Sequence, residues 1–366
     1  MMVIQIVPSL TYGDAVGNDV LAIDALLKRM GIHTIIYTGN IGKRIPQNIA
    51  RRIEEWEIPK KEDIIIYHIA TIFEHIHFLI DAKCRKIGIY HNITPPHFYA
   101  DYNPSAYDAC RRALRQVKDI SNVFDYCLAD SEFNRQSLIS YGYQCRIDVL
   151  PILIPYDDYK RIPDETVLKR FGKETTNVLF VGRFAPNKKY EDVIASFYAY
   201  QKRYDHNARL FLVGSFDHND LYCKRLLEYI DMLHVENVYI PGHIRFEEVL
   251  AYYSIADVFL CLSEHEGFCV PLIEAMLFDV PIIAYDKCAV GETLGGSGFL
   301  LKTKDYCEIA AVIDRVILDH PLRDCMLRNQ RERLSFFQTN KVCDMFKDYL
   351  SSFVRRDSFE SVGDNS

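Results

Sequence analysis

With 366 residues, of which 49% are hydrophobic and 25% charged, the chain has the composition of a globular protein with roughly two domains. Its formal net charge of −7 argues against a general nucleic-acid binder. No apolar run approaches the ~18 residues that a membrane-spanning helix needs.

The cysteines favour a reducing compartment. There are 11 of them, none in a C-x-x-C pair, and no charged and then apolar leader precedes the first predicted strand. We therefore expect a cytoplasmic protein whose cysteines are small core residues.

Apolar runs alternate with amphipathic segments along the chain. In the N-terminal half, strands are predicted at 3–7, 34–37, 64–67, 86–90, 126–129 and 147–150, with helices at 18–30, 47–57, 104–120 and 132–140. In the C-terminal half, strands are predicted at 177–181, 209–214, 238–240, 258–262 and 281–284, with helices starting at 190 and at 220–233, 246–253, 271–278, 304–318, 322–336 and 340–353. This alternation is typical of doubly wound parallel sheets, which bind ligands beyond the carboxyl ends of their strands.

The predicted organisation is α/β, with two Rossmann-like domains facing a cleft. Prolines and charges without periodicity mark a linker at 156–172. The linker separates a first domain at 1–155 from a second at 173–338, followed by a helix at 339–353. The polar segment 354–366 is expected to be a disordered tail.

The first predicted strand leads through a glycine-bearing loop into a helix. Gly13 and Gly17 lie in that loop, with Asp14 between them. The arrangement fits a phosphate cradle, although the dinucleotide fingerprint G-x-G-x-x-G is absent. An ordinary tight turn is the alternative.

A histidine stands at the end of another predicted strand. His91 follows the run 86–90 and precedes a proline-rich segment. A lone histidine is commonly structural, but the strand tip favours a ligand contact, so both roles stay open. His68, His75 and His77 suggest a metal cluster, but positions 75 and 77 do not share a helix face and no carboxylate or cysteine completes the set, so we expect no metal there.

Four basic residues recur at helical spacing in the predicted helix 104–120: Arg111, Arg112, Arg115 and Lys118. A solvated helix face is the ordinary interpretation. The alternative is a surface that meets anionic headgroups or a lipid-linked acceptor, with the tyrosines at positions 99, 102 and 107 at the interface.

Two cations follow the first strand of the second domain. Arg183 and Lys188 come after Gly182 at the expected carboxyl edge of the sheet, where we expect an open cleft. Exposed basic residues are common in loops, and Lys189 is an adjacent alternative to Lys188. The glycine-rich segment 291–298 is expected near the same edge, as a phosphate contact or as a flexible connection.

The most informative stretch is the acidic loop and helix start at 263–276. Pro271 suits the first position of a helix, so the N–H groups near Cys269 and Val270 are available to an anion such as a diphosphate. Glu266 in the loop and Glu274 in the helix flank this anion site. Because carboxylates repel a diphosphate, they should address neutral hydroxyls, as of a hexose and a ribose. The alternative is a helix-start charge and a solvated loop acid.

The residues between these two acids carry a family resemblance. Glu266-Gly267-Phe268, then Pro271, then Glu274-Ala275-Met276 resemble the signature of the retaining nucleotide-sugar glycosyltransferases of family 4, which have the GT-B fold. The segment 178–192 resembles the family's second signature.

The resemblance implies a role for each matching residue. Glu266 is expected to face the donor hexose and Glu274 the ribose, while Arg183 and Lys188 clamp the diphosphate and His91 faces the sugar. The remaining residues that it implies at the donor site are Gly13, Gly17, Gly182, His243, Gly267, Phe268, Cys269 and Val270. The first domain is then the acceptor-binding domain and the second the donor-binding domain, with the helix 339–353 crossing back onto the first.

The expected function is transfer of a hexose from a nucleotide-diphosphate sugar to a saccharide or lipid-linked acceptor in cell-surface polysaccharide assembly. The resemblance implies retention of configuration, and we expect neither a metal nor a cofactor. GDP-mannose is slightly favoured over UDP-sugars, because Glu264-His265-Glu266 is reminiscent of mannosyl-transferring relatives. A non-catalytic nucleotide-sugar-binding protein and a GT-B epimerase are the alternatives. Peripheral contact with the inner face of the cell membrane is a further expectation.

Overall fold

The computed structural model describes residues 1–11, 13–46, 48–172 and 174–360, with side chains up to residue 355. Parts of four sequence predictions lie outside these residues. They are Tyr12 of the first glycine loop, Gln47 at the start of the predicted helix 47–57, Lys173 at the predicted start of the second domain, and 361–366 of the predicted tail.

Two sheets organise the described part of the chain. The strands are β1 (Met2–Leu10), β2 (His33–Ile41), β3 (Arg51–Arg52), β4 (Ile64–Ile69), β5 (Arg85–Tyr90), β6 (Tyr126–Ala129), β7 (Arg146–Val149), β8 (Asn177–Val181), β9 (Arg209–Val213), β10 (Val238–Gly242), β11 (Val258–Cys261), β12 (Ile282–Tyr285) and β13 (Phe299–Leu301). The first sheet has the order β3-β2-β1-β4-β5-β6-β7 and the second the order β10-β9-β8-β11-β12-β13. All recorded strand pairs are parallel. The predicted pair of doubly wound sheets is confirmed.

Helices separate most consecutive strands. The helices of the described residues are α1 (Ala15–Arg29), α2 (His77–Asp81), α3 (Pro104–Asp119), α4 (Glu132–Ser140), α5 (Glu165–Phe171), α6 (Tyr190–Arg203), α7 (Leu221–Leu233), α8 (Phe246–Ile255), α9 (Val270–Leu277), α10 (Val290–Leu294), α11 (Tyr306–Leu318), α12 (His320–Leu334) and α13 (Thr339–Glu360). Within the described ranges, none of these helices combines the length and the apolar character that a bilayer crossing requires.

Short polar side chains start several helices. The residues that accept backbone N–H bonds at N-caps are Ser131, Asp164, Asp220, Asp305 and Asp319. Such a cap satisfies donors that have no partner inside the helix, and it stabilises the helix by about 1 kcal/mol.

The chain forms two compact units. The first contains Met1–Ile93, Cys110–Tyr156 and the C-terminal segment from Phe336, and the second contains Thr94–Ala109 and Asp157–Ser335. Residues 94–109 therefore belong to the second unit although they lie within the predicted first domain.

Helices cover both faces of the first sheet. Leu79 of α2, Val117 of α3 and Leu138 of α4 pack in one buried cluster with strand residues. On the other face, Ile23 of α1 and Phe346 of α13 pack in a second cluster. The C-terminal helix thus completes the core of the first unit. It continues to Glu360, so the expectation that disorder starts at 354 is wrong for residues 354–360.

Two further sequence predictions are corrected by packing. In place of a helix over 47–57, β3 pairs with β2, and a 3-10 turn follows at Ile53–Glu55. Ile53 is fully buried, and the ring of Trp56 lies 5.0 Å from that of Tyr37. These tertiary contacts override the helical spacing of the apolar residues.

The predicted linker 156–172 contains a helix. In α5, Phe171 places its ring 4.9 Å from the rings of both Phe211 and Tyr239. Asp164, the N-cap of α5, accepts a backbone bond from Thr166 and another from Val167. Most of this segment is therefore part of the second unit.

Candidate functional site

The loop between β11 and α9 is fixed by hydrogen bonds to two neighbouring segments. The Glu264 N–H donates to the carbonyl of Asn187 at 2.8 Å, and the Asn187 side chain donates to the carbonyl of His265 at 2.9 Å. The hydroxyl of Thr293 donates to the carbonyl of Phe268 at 2.5 Å. These bonds hold the acidic loop against the turn that follows β8.

The loop enters α9 through a sharp turn. Cys269 has φ +73°, in the left-handed region that non-glycine residues rarely adopt, and it is the N-cap of α9. Phe268 and Cys269 are buried, whereas Gly267 and Val270 are partly exposed. The predicted order of strand, acidic loop and helix start is therefore present.

Lys188 and Glu266 form a buried ion pair. The ammonium donates to both carboxylate oxygens, at 2.6 and 2.7 Å, and the two side chains are 17% and 7% exposed. Burial alone would lower the pKa of Lys188, but the charge of Glu266 leaves that pKa raised above its ordinary value. The sequence-based expectation of an open cleft around Lys188 is therefore wrong, because this lysine is enclosed with its counter-ion.

Arg183 has the opposite environment. It is exposed, and its guanidinium makes a long hydrogen bond of 3.4 Å to the hydroxyl of Tyr99. Tyr99 ends a 3-10 turn at Pro96–Tyr99, whose neighbour Phe98 places its ring 6.2 Å from that of His265. Residues from the N-terminal half of the sequence therefore lie beside the predicted diphosphate clamp, inside the second unit.

Glu274 lies in the first half of α9 and accepts two tyrosine hydroxyls. Tyr159 donates to Oε1 and Tyr253 donates to Oε2, each at 2.6 Å. Burial raises the pKa of Glu274, and the two hydroxyls oppose that rise by stabilising the carboxylate. The carboxylate is thus set up to accept two hydroxyl groups at once.

Other predicted donor-site residues have varied surroundings. A Cβ on Gly182 would meet only ordinary contacts, but one on Gly214 would lie 1.8 Å from the carbonyl oxygen of Gly182. Glycine is therefore required at 214, where β8 and β9 end side by side. His243 is exposed in the loop after β10.

The glycine-rich segment 291–298 packs against α12 at its centre, which is neither of the two roles expected from the sequence. Arg333 of α12 donates to the carbonyls of Glu292 and Thr293 at the end of α10. A Cβ on Gly295 would lie 2.7 Å from the Arg333 side chain. Close packing against α12 thus accounts for that glycine.

In the first unit, the two glycines of the loop after β1 are needed for different reasons. Gly13 has φ +86° and its N–H donates to Asn18. A Cβ on Gly17 would lie 2.0 Å from the carbonyl oxygen of Thr11. Asp14 is the N-cap of α1 without a side-chain cap bond. Backbone proximity at the helix start therefore explains Gly17 without a ligand.

His91 belongs to a buried chain of hydrogen bonds. Its Nδ1 lies 3.0 Å from the carboxylate of Asp130, and its Nε2 lies 2.9 Å from Nδ1 of His68. Nε2 of His68 lies 3.0 Å from Oε1 of Gln5, whose amide nitrogen donates to the carbonyl of Val20. The His91 side chain is 1% exposed. In this arrangement the imidazole has no nitrogen left for the expected sugar contact.

The donor and acceptor roles along these hydrogen bonds determine which ring nitrogens carry a proton. Since the Gln5 oxygen accepts, Nε2 of His68 carries the hydrogen and Nδ1 of His68 must accept from His91. The other nitrogen of His91 faces a carboxylate, so His91 and Asp130 together hold one additional proton. Burial alone would lower the pKa of His91, but the charge and hydrogen bond of Asp130 leave it raised.

A second buried acid lies beside this chain. Asp19 accepts the N–H of Leu153 at 2.8 Å, and burial raises the pKa of Asp19 to about 7. The first unit therefore concentrates titratable groups near the carboxyl end of β5.

Among the residues that the structure describes, two clusters bring metal-binding atom types within 4.8 Å of one another: Asp19, His68 and His91 in the first unit, and Cys261, Glu266 and Cys269 in the second. In the first cluster the imidazoles bond to each other, and in the second the Lys188 ammonium already meets the carboxylate. Each cluster therefore contains at least one candidate ligand atom that already takes part in a hydrogen bond.

The four basic residues of α3 are exposed, while Ala113 and Val117 are buried on the other side of the helix. Arg112 forms a bidentate pair with Glu74, at 2.8 Å to each oxygen. Tyr102 and Tyr107 were both expected at a membrane or acceptor interface. Tyr102 instead packs its ring 5.1 Å from that of Tyr222.

Among the side chains that contact the predicted site residues, sequence reasoning missed the contacts of His68, Asp130, Tyr159 and Tyr253. A signal existed for Asp130, which directly follows β6 as His91 follows β5, because neighbouring parallel strands end at one edge. His68 lies inside β4, and Tyr159 lies in the predicted linker. Their positions carry no comparable signal.

Comparison with known proteins agrees with this geometry. Residues 165–333 match the family described as Glycosyl transferases group 1. The capsular polysaccharide biosynthesis glycosyltransferase CapM of Staphylococcus aureus is 25% identical over 179 residues, which are 48% of this chain and 46% of CapM. The chain therefore spans about half the length of this curated relative. The O-antigen chain mannosyltransferase B of Escherichia coli is 23% identical over 287 residues, 75% of this chain and 70% of that protein.

A solved structure extends the likeness of the fold over nearly the whole chain. Anabaena HepE in complex with UDP-glucose superimposes with a TM-score of 0.75 at 18% identity, covering 96% of this chain and 100% of HepE. At this identity the likeness concerns the fold alone. The chain therefore has the GT-B fold, and its residues 165–333 resemble the glycosyl transferases group 1 family.

Proposed function

We propose that this chain is a retaining, metal-independent glycosyltransferase. It transfers a hexose from a nucleotide-diphosphate sugar to a hydroxyl of a saccharide or lipid-linked saccharide during polysaccharide assembly. The second unit binds the donor, and no cofactor takes part.

The observation that carries this proposal is the placement of two cations and two hydroxyl-accepting carboxylates around the acidic loop. Lys188 is enclosed with Glu266, and Arg183 stands exposed after the same strand, β8. Glu274 accepts two hydroxyls one helix turn beyond the loop. A diphosphate flanked by two sugars needs this alternation of cations and hydroxyl acceptors.

Lys188 has a donor to share with a phosphate. An ammonium carries three N–H groups, and two of them point at the oxygens of Glu266. The third faces a phosphate oxygen of the donor. Together with Arg183 and the N-terminus of α9, it stabilises the charge that develops on the departing diphosphate, which removes the need for a divalent cation.

The transfer exchanges one bond at the sugar for another. The bond between C1 and the phosphate oxygen breaks, and the acceptor oxygen bonds to C1 on the same face. The acceptor proton passes to the departing phosphate. Glu266 orients the hexose hydroxyls as the ring becomes oxocarbenium-like, and Glu274 holds the ribose.

GDP-mannose is the first donor to test, because of the run Glu264-His265-Glu266 and the similarity to a mannosyltransferase. UDP-glucose is the second, because HepE was solved with that ligand. In this structure Glu264 pairs with Lys304 at 2.8 Å. We therefore assign Glu264 to holding the loop and leave hexose recognition to Glu266.

Thermal denaturation with GDP-mannose, UDP-glucose and the matching nucleoside monophosphates tests donor binding. A donor at 100 times its Kd should stabilise the fold by ~2.7 kcal/mol. Release of GDP or UDP after addition of a saccharide acceptor then separates an enzyme from a non-catalytic sugar-nucleotide binder. A chain that binds neither donor is not the transferase proposed here.

The proposal extends to the membrane through α3. Its exposed residues Arg111, Arg115 and Lys118 form a basic surface that meets the anionic inner face of the cell membrane, with the protein in the cytoplasm. Arg112 contributes less, because Glu74 already neutralises it.

Vesicle sedimentation tests this surface. The chain should bind vesicles containing phosphatidylglycerol, bind phosphatidylcholine vesicles weakly, and dissociate as salt is raised. Reversal of Arg111, Arg115 and Lys118 to glutamate should abolish sedimentation. Reversal of the exposed Lys202 and Arg203 on α6 is the matched control. Sedimentation that is insensitive to salt, or is lost equally in the control, contradicts the assignment.

A further inference from the structure

The two hydroxyls that contact Glu274 come from tyrosines in very different settings. Tyr253 lies in α8 with 0% exposure, and its ring is 5.4 Å from that of Phe278 and 6.1 Å from that of Phe259. Tyr159 is partly exposed and lies in a 3-10 turn of three residues, Asp158–Lys160. Tyr253 is therefore fixed by the core, whereas Tyr159 is held by a surface segment.

The ion pairs of that surface segment are exposed. The ring of Tyr159 meets Phe246 edge-on at 5.2 Å, and the Arg161 guanidinium lies 5.8 Å from the centre of the same Phe246 ring. Lys160 pairs with Asp157 and Arg161 with Asp158, each at 2.7 Å, and Arg161 lies 3.6 Å from Glu247, through side chains that are 35% to 93% exposed. Exposed pairs of this kind add little stability. The ion pairs of the segment Asp157–Arg161 therefore do little to hold Tyr159 on Glu274.

The carboxylate geometry resembles a complex with a diol. Each oxygen of Glu274 accepts one hydroxyl at 2.6 Å. A carboxylate binds a vicinal diol in the same way, with one hydroxyl on each oxygen. The ribose of a nucleotide offers such a diol, and it can approach from the side of Oε1, where the Tyr159 side chain is partly exposed.

We propose that Tyr159 occupies, at Glu274, the position that a ribose hydroxyl takes when a nucleotide binds. This inference rests on the proposed function, in which Glu274 holds the ribose. The nucleotide and the segment Asp157–Arg161 then compete for one carboxylate oxygen. Tyr159 sets the affinity for nucleotides, and it keeps the Glu274 carboxylate hydrogen-bonded while the site is empty.

Calorimetric titration of Tyr159→Phe with UDP and with GDP tests this competition. The substitution keeps the ring against Phe246 and removes only the competing hydroxyl. We expect the Kd of the better-bound nucleoside diphosphate to fall by roughly three- to tenfold, the net contribution of an ordinary hydrogen bond, because the ribose hydroxyl replaces the bond that Tyr159 gives up. Tyr253→Phe is the matched control. It removes the other hydroxyl from the same carboxylate and should not tighten binding.

The 2′,3′-dideoxy forms of the same nucleotides isolate the ribose. Without hydroxyls they do not displace Tyr159, so wild type and Tyr159→Phe should bind them equally. Unchanged or weaker binding of UDP and GDP by Tyr159→Phe overturns the inference while leaving the proposed function intact. If the wild type binds neither nucleotide, both fail together.

A measurement on the unsubstituted chain gives an independent test. With fluorotyrosine incorporated throughout, the ¹⁹F resonance of Tyr159, assigned from its absence in Tyr159→Phe, should shift when the ribonucleotide is added. The dideoxy analogue should leave it in place. If the chemical shift of this resonance does not change when the ribonucleotide is added, Tyr159 stays on Glu274 and the proposal is contradicted.

Discussion

Replacement of Lys188 by methionine is expected to lower both the turnover of the proposed transferase and the stability of the second unit. Removal of one preorganised cation should slow transfer by about 100- to 1,000-fold. It also leaves Glu266, which is 7% exposed, without its counter-ion. Breaking a buried pair from one side typically costs about 3–5 kcal/mol. Urea unfolding followed by circular dichroism measures the loss, because Trp56, the single tryptophan of the sequence, lies in the first unit.

Arg183→Ala is the matched comparison for this lysine. Arg183 is exposed and makes one long hydrogen bond, so its removal should slow transfer by a similar factor without changing the unfolding midpoint. The double variant Lys188→Met/Glu266→Gln removes both buried charges, and we expect it to recover much of the stability that Lys188→Met loses. A Lys188→Met variant as stable as wild type would show that the pair contributes nothing to folding. Normal turnover in Arg183→Ala contradicts its part in the clamp.

The enclosed state of Lys188 illustrates what the sequence leaves undecided. Its position after a strand predicts the carboxyl edge of the sheet correctly, because strand alternation alone places that edge. Its partner lies 78 residues away. Neither the spacing nor the charge of the two residues indicates that they form an ion pair in the absence of a ligand. The exposure of Lys188 depends on that ion pair.

The fold was more accessible to prediction than the contacts. Buried strands such as β11 are uninterrupted apolar runs, and β4 is one except for His68, because both faces of these strands are covered. The end of α13 was missed, since Phe353 is its last buried residue with a described side chain, and the segment 354–360, through which the helix continues, is mostly polar in sequence. Such a segment has no apolar periodicity to mark the end of the helix.

The hydrogen-bonded chain through His91 was partly visible in the sequence. The position of His91 after β5 is correct, but the ring is buried by His68 and Asp130, which come from neighbouring strands of the same sheet. Parallel register decides which of these side chains meet, and register is a tertiary property. The sequence therefore located the group and not its surroundings.

The two acids of the loop and helix should respond differently to the same substitution. Glu266→Gln is expected to lower kcat chiefly, because a contact to the hexose strengthens as the ring flattens toward the transition state. Glu274→Gln is expected chiefly to raise the KM for the donor, because the ribose does not change during transfer. We expect a change of roughly tenfold or more in each parameter, as for loss of a hydrogen bond to a charged group.

Calorimetry with a free nucleoside diphosphate separates the two roles without knowledge of the acceptor. UDP and GDP retain the ribose and lack the hexose, so Glu274→Gln should weaken their binding while Glu266→Gln leaves it nearly unchanged. The structure adds a condition to this test, since Glu266→Gln also frees Lys188 from its counter-ion. A freed ammonium attracts the diphosphate more strongly, so any change in Glu266→Gln should be toward tighter binding. A larger loss of affinity in Glu266→Gln than in Glu274→Gln would mean that the two carboxylates exchange roles, with Glu266 on the ribose and Glu274 on the hexose.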